Sequence, residues 1–477
     1  MLVITGLTML LPAIIAWSYD EPDLYGHIKS FLICLVIGLP IWLITRKSKS
    51  LNSKDGFAIV TFAWITVALA GSLPFYLTEV IPNFTDAWFE SMSGVTTTGA
   101  TIVGNATTLP HLINGIESMP HGVLFWRSFL QWIGGMGIIV FTIAILPLLG
   151  VGGVQLFKAE VPGPVADKIK PRVKETAKIL WMVYIGFTFL QFSLLCFAGM
   201  PWFDSICHAF TTMPTGGFST QNASIAAYSN PLIHYIIIFF MFVAGVNFTL
   251  HFRAITGNYK SYFKDYEFKV YFLILFCVTM FIFLNISFSN SDWTHNNFLI
   301  SLFQSLALMT GTGYANADYE LWPFFSQLLL FFMMFFGAMG GSTSGGMKIA
   351  RVILLIKYAA TETRRMLHSR AIIPIRIGDR TIGDDVIRNT LGFFLIYLSF
   401  FVLTSLILTA LNYDFTSSLS VAASAIGNVG PAFGAFGPTD NYALLHPIGK
   451  WMMTFCMLLG RLEIFTVMVL FSRTFWR

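Results

Sequence analysis

Four times along this chain a short stretch rich in glycine and hydroxyls interrupts apolar sequence of membrane length. The first, residues 91–101, reads Ser-Met-Ser-Gly-Val-Thr-Thr-Thr-Gly-Ala-Thr. The others lie at 210–218, 308–314 and 425–431. Aligning Gly99, Gly216, Gly313 and Gly430 separates them by 117, 97 and 117 residues. In a soluble protein such stretches would be surface loops. A regular internal period instead marks one structural unit copied along the chain.

The apolar background decides the class. Of 477 residues 55% are hydrophobic and only 11% charged, with a mean hydropathy of +0.70, whereas about 25% of a typical soluble domain is charged. Since about 20 apolar residues cross a bilayer, the chain reads as polytopic. We place spans near 2–19, 28–45, 56–78, 123–149, 176–199, 231–252, 268–289, 323–349, 389–412 and 446–472. The first lacks a basic leader and a convincing cleavage site, so it reads as a retained helix. The last eight form four pairs, each bracketing one stretch. The expected fold is therefore an all-α membrane protein of four helix–pore loop–helix repeats, with two extra N-terminal helices. Its units are 1–50 (extension), 51–160, 161–258, 259–375 and 376–477. The five cysteines have no pairing or ligand spacing and read as buried thiols.

Lysine and arginine favour cytoplasmic loops. Of 29 such residues, 25 fall on one set of connections, at 46–54, 158–178, 253–269, 348–388 and the C-terminus. The other set carries the four stretches and many acids, among them Asp86, Glu90, Asp204, Asp318, Glu320, Asp414 and Asp440, with Lys29 and Lys450. Both termini are thus expected to be cytoplasmic, and the stretches to enter from outside. An acidic outer face concentrates cations, although ordinary solvated loops explain it equally well.

Irregular backbone is tolerated at membrane depth only where protein buries it or a wet cavity receives it. Four stretches around one axis meet that condition together. A cation there trades its water shell for backbone carbonyls, and glycine lets the chain turn those carbonyls inward at least steric cost. Thr98, Thr215 and Thr312 precede the aligned glycine in three copies, and Val429 in the fourth. The runs before the stretches read as half-helices of about 18 Å at 1.5 Å per residue. Their negative C-terminal ends point at the ion. Asp86, Asp204 and Asp414 read as caps, with Asn296 and Asn297 in the third copy.

This layout resembles the Trk/Ktr/HKT superfamily of cation transporters, and most closely the membrane subunits of bacterial Trk potassium uptake systems. The likeness covers the whole chain. It rests on Thr-Thr-Thr-Gly-Ala at 96–100, Pro-Thr-Gly-Gly-Phe-Ser at 214–219 and Gly-Asn-Val-Gly-Pro at 427–431. Trp-Arg-Ser-Phe-Leu-Gln-Trp-Ile-Gly-Gly-Met-Gly at 126–137 and Gly-Arg-Leu-Glu-Ile at 460–464 add to it. The resemblance implies potassium uptake across the bacterial inner membrane through a selectivity filter. Its positions would be Thr97, Thr98 and Gly99; Pro214, Thr215 and Gly216; Gly311, Thr312 and Gly313; Asn428, Val429 and Gly430. In the family a serine at the first filter glycine goes with sodium, so Gly99 favours potassium. Gly311 departs from the pattern and suggests looser coordination there. The resemblance also implies a homodimer and a cytosolic nucleotide-binding partner of the TrkA type. Potassium is the cargo, and no resident cofactor or nucleic acid is expected. The basic segments 158–178 and 350–388 suit docking of the partner, as they suit simple topology.

Within 323–349, residues 337–348 hold five glycines and three hydroxyls, a poor helix at about 1 kcal/mol per glycine. Close helix packing by small residues is the plainer reading. The resemblance favours an unwound gate under the filter, formed by Gly340, Gly341, Ser342, Thr343, Ser344, Gly345 and Gly346. Arg461, about fifteen residues into the last span, would donate to that loop or pair with a carboxylate. Arg127, near a helix start, reads as structural or snorkelling. Glu463 reads as the main buried acid. A solute symporter would need paired broken helices in inverted halves, and an enzyme would need converging acids, His or Cys; the chain offers neither pattern, with one helix expected to be broken.

Overall fold

The computed structural model describes residues 1–45, 53–104, 115–144, 173–368, 373–378 and 380–476. It is helical apart from one small hairpin among the described residues, Arg376–Ile377 paired with Arg380–Thr381. Five helices are long and apolar enough to cross a membrane: Leu24–Thr45, Asp55–Leu77, Thr176–Phe197, Tyr266–Ser289 and Asp384–Ala410. Two bent pairs bring the number to seven. The other expected spans are Leu2–Ser18, which has a joint at Met9, His121–Ala144, and the interrupted helix that starts with Phe324–Met333.

Each stretch follows a half-helix: Phe84–Val95, Trp202–Thr212, His295–Thr310 and Phe415–Gly427. All four are largely buried. Their starts correct the expected caps. Only Asp414 is an N-cap, accepting from the Ser417 N–H. Asn83 and Thr294 cap the first and third half-helices, and Pro201 precedes the second. Asp86 instead pairs with Lys450 at 2.5 Å, and Asp204 accepts from Thr220 at 2.6 Å. Lys450, expected on an outer loop, is accordingly buried.

The expectation of one broken helix is also corrected, because three are broken among the described residues. Pro231–Gly245 turns by 103° into Phe248–Ile255, with Asn247 capping the second segment. Pro447–Arg461 turns by 109° into Phe465–Phe471, through left-handed Glu463 and Ile464. Phe324–Met333 gives way to irregular chain until Ile349–Leu367 begins. The unwound segment is thus longer than the glycine run alone.

Two apolar clusters hold the half-helices in place. One joins Phe89, Trp126 and Leu130 to Val421, Ile426 and Met457; the other joins Phe303, Leu306 and Met309 to Ile237, Tyr271 and Met334. At Gly134 and Gly460, helices press onto the Val95 and Ile426 carbonyls so closely that a Cβ would collide with them. The C-terminal ends of the first and fourth half-helices are fixed this way.

Candidate functional site

The backbone assigns the register of the stretches. Each has two left-handed residues separated by one ordinary residue: Thr97 and Gly99, Thr215 and Gly217, Gly311 and Gly313, Asn428 and Gly430. The first, third and fourth pairs match the sequence alignment. In the second copy the glycine equivalent to Gly99 is Gly217, one residue beyond Gly216, and Pro214 precedes the motif. Gly311 has the same turn as its counterparts, with φ of 72° against 54° to 57°. Glycine adopts it freely, so nothing in its backbone loosens that copy.

The four stretches close into a ring. A Cβ on Gly99 would strike the Gly216 carbonyl oxygen. One on Gly217 would strike that of Thr312, one on Gly313 that of Val429, and one on Gly430 that of Thr98. The third position of each copy therefore packs against the middle carbonyl of the next, in cyclic order.

The polar groups within the ring are asymmetric. The N–H groups turn back into the half-helix ends: Thr97 to Gly94, Thr98 to Ser93, Thr215 to Thr212, Gly216 to Thr211, Gly313 to Ala307 and Val429 to Ser424. Most of the carbonyls have no such partner, although that of Gly430 accepts from Ser424 and Tyr442 and that of Gly216 from Gln131. Among the described residues, no donor reaches the oxygens of Thr97, Thr98, Thr215, Gly311, Thr312, Asn428 or Val429. These residues are all buried. An unsatisfied buried acceptor costs about 1–3 kcal/mol, and native proteins pair nearly all of them. An array of bare backbone oxygens is the kind of surface that can replace a cation's water shell.

One face of the ring opens into a recess that reaches Gly99, Gly217, Gly313 and Gly430. Arg127 lies beside it, and of the two roles expected for it, structural or snorkelling, its burial fits the structural one. It is fully buried, pairs with Glu90 at 2.8 Å, donates to the Ser219 carbonyl at 3.1 Å and covers the Phe218 ring. Glu90 also accepts from Ile102 N–H and Thr101 Oγ1. This ion pair braces the first two stretches against each other. Glu90, read from sequence as a loop acid, is more deeply buried than Glu463.

The irregular segment lies against the opposite face. Thr343 is its most heavily fastened residue. Its carbonyl accepts from Thr215 Oγ1 at 3.1 Å and from Arg461 at 2.7 Å. Its hydroxyl reaches the Met213 and Ala244 carbonyls. Gly345 packs on Asn428, and Gly341 on Asn247. Glu267 accepts from Gly340 N–H at 2.8 Å and Ala350 N–H at 3.1 Å, closing the base of the arch. Lys348 donates to Ser344 within it, and Gly346 turns left-handed before the chain re-enters helix. Arg461 ends its helix and does not pair with Glu463, which binds Arg351 at 2.5 Å. Sequence reasoning missed Asn247, Glu267 and Arg351; a polar residue inside an apolar run is the signal for Asn247.

Residues 27–476 match a family model described as TrkH, cation transport protein. The chain is 40% identical to the Trk system potassium uptake protein TrkH of Salmonella typhimurium, over 98% of this chain and 96% of that one. It is 36% identical to TrkG of Escherichia coli, over 99% and 96%. The crystal structure of the potassium transporter TrkH from Vibrio parahaemolyticus superposes with a TM-score of 0.89 at 37% identity, covering 100% of this chain and 97% of that chain. With the match spanning nearly its whole length, the chain belongs to the TrkH family of cation transport proteins, which are transporters and not enzymes.

Proposed function

We propose that this protein takes up potassium across the bacterial inner membrane through the ring of four stretches, acting as a selectivity filter. The buried ring with seven carbonyl oxygens unpartnered among the described residues is the observation that carries this reading. It is supported by the names of the relatives, which are potassium uptake proteins. The filter comprises 97–99, 215–217, 311–313 and 428–430, with Pro214 at its edge. Both termini face the cytoplasm, so the recess is the outer mouth. The segment 340–346, held by Arg461, is the gate on the inner side. The chain divides into an extension and four repeats at the boundaries read from sequence.

The protein works as a homodimer regulated by a cytosolic nucleotide-binding subunit of the TrkA type. Ile349–Leu367 is suited to receive that subunit. It is basic along Lys357, Arg364 and Arg365 and exposes Ile356, Met366 and Leu367. The other basic segment, 158–178, lies mostly outside the described residues.

Expression in a potassium-uptake-deficient bacterium, with a matching cytosolic subunit, is expected to restore growth at low potassium. Absence of rescue by well-expressed protein would sink the proposal. Gly99→Ser tests the filter itself. The φ of 82° and the adjacent Gly216 carbonyl leave no room for a side chain. Potassium preference over sodium is expected to drop in flux assays, and an unchanged ion ratio would remove Gly99 from the filter.

A further inference from the structure

We infer that Gln131 is a positioning residue for ion selection, fixing the one middle-position filter carbonyl whose own residue cannot fix it. The inference rests on the proposed filter. The middle positions of the four stretches are Thr98, Gly216, Thr312 and Val429. Three are β-branched, and such side chains restrict the backbone that carries them. Thr98 and Thr312 are further tied, to Thr96 at 2.8 Å and to Thr310 at 2.7 Å. The second copy has instead two consecutive glycines, the most permissive backbone available.

Gln131 fills that gap. It lies on His121–Ala144, belonging to the neighbouring repeat, and is fully buried. Its amide N–H donates to the Gly216 carbonyl at 2.8 Å, and its amide oxygen accepts from Phe218 N–H at 3.2 Å. One side chain thus grips the glycine pair on both sides. The three atoms nearest to a Cβ built on Gly216 all belong to the Gln131 amide. That amide occupies the volume where the other copies carry their own side chains. Gly216 is also the only middle position whose carbonyl has a donor among the described residues. Its orientation is therefore set from outside the stretch.

The space relationship supplies the test. Gly216 is not left-handed, so alanine fits there once Gln131 is shortened. In proteoliposomes, Gln131→Ala is expected to lower potassium-over-sodium preference about tenfold, on the scale of one hydrogen bond. Gly216→Ala alone clashes with the amide and also impairs selection. Gln131→Ala combined with Gly216→Ala is expected to recover most of the preference, because the added methyl restores a restrained backbone. Such non-additivity is the mark of contacting residues. A purely structural role predicts lower yield of folded protein with an unchanged ion ratio. Gln131→Met keeps side-chain length without the donor; if Gln131→Ala does not fold, wild-type preference in Gln131→Met overturns the inference. Unaltered preference in folded Gln131→Ala overturns it directly, as does a double variant no better than either single one. Wild-type protein with no potassium preference would instead overturn the filter reading itself.

Discussion

Gly217→Ala is expected to abolish potassium uptake, and to do more harm than Gly216→Ala one residue earlier. The two glycines look alike in sequence but meet different surroundings. Gly217 has a φ of 75°, and a Cβ there would land on the Thr312 carbonyl oxygen. The left-handed backbone costs an L-residue about 1–2 kcal/mol. Overpacking against backbone adds about 1–3 kcal/mol, since a carbonyl cannot rotate aside as a side chain can. The strain falls on a proposed ion ligand, so it appears as lost transport. A combined cost of about 3 kcal/mol corresponds to more than a hundredfold at about 1.4 kcal/mol per factor of ten. At Gly216 the obstacle is only the end of the Gln131 side chain. Rubidium uptake into vesicles, normalised to folded protein, separates the two. Equal activities would remove the ring register deduced from the backbone.

That register shows where sequence reading stops. Half-helix, stretch and helix were legible four times over, because membrane burial forces hydropathy, glycine and hydroxyls into one pattern. The positions at 97–99, 311–313 and 428–430 follow from their glycines. The second copy was set one residue off, since either member of the Gly216–Gly217 doublet permits a left-handed turn. The Thr312 carbonyl of the adjacent copy makes the choice, and a linear alignment does not contain it. The breaks at 245–248 and 461–465 escaped for a related reason. Apolar sequence resumes beyond both, past Asn247 in one and Arg461 and Glu463 in the other, and the turns depend on partners distant in sequence, such as the Gly341 carbonyl that accepts from Phe248 N–H at 3.1 Å. Glu90 and Arg127 each looked like boundary charges. Only their 37-residue juxtaposition reveals a buried pair, and burying either charge alone would be costly.

Removing the fastening at Thr343 is expected to raise partner-independent flux. Arg461 donates to the Thr343 carbonyl at 2.7 Å and more weakly to that of Gly134 at 3.4 Å. It thereby ties the irregular segment to Pro447–Arg461 and His121–Ala144 on the face of the ring opposite the recess. A hydrogen bond from a charged donor contributes about 1.5–3 kcal/mol. If the segment closes the pore, Arg461→Gln shifts its open–closed balance by about 2 kcal/mol, or roughly thirtyfold at about 1.4 kcal/mol per factor of ten. If the pore passes Arg461, loss of its fixed positive charge acts in the same direction. Deleting 342–344 removes the fastened residue itself and should raise flux at least as far. The ion ratio separates gating from damage to the filter: a gate variant conducts more potassium at unchanged preference over sodium, whereas a distorted ring conducts with less preference. Folded Arg461→Gln and deletion variants with wild-type or lower flux would show that this segment is a strut beneath the ring and that closure resides elsewhere.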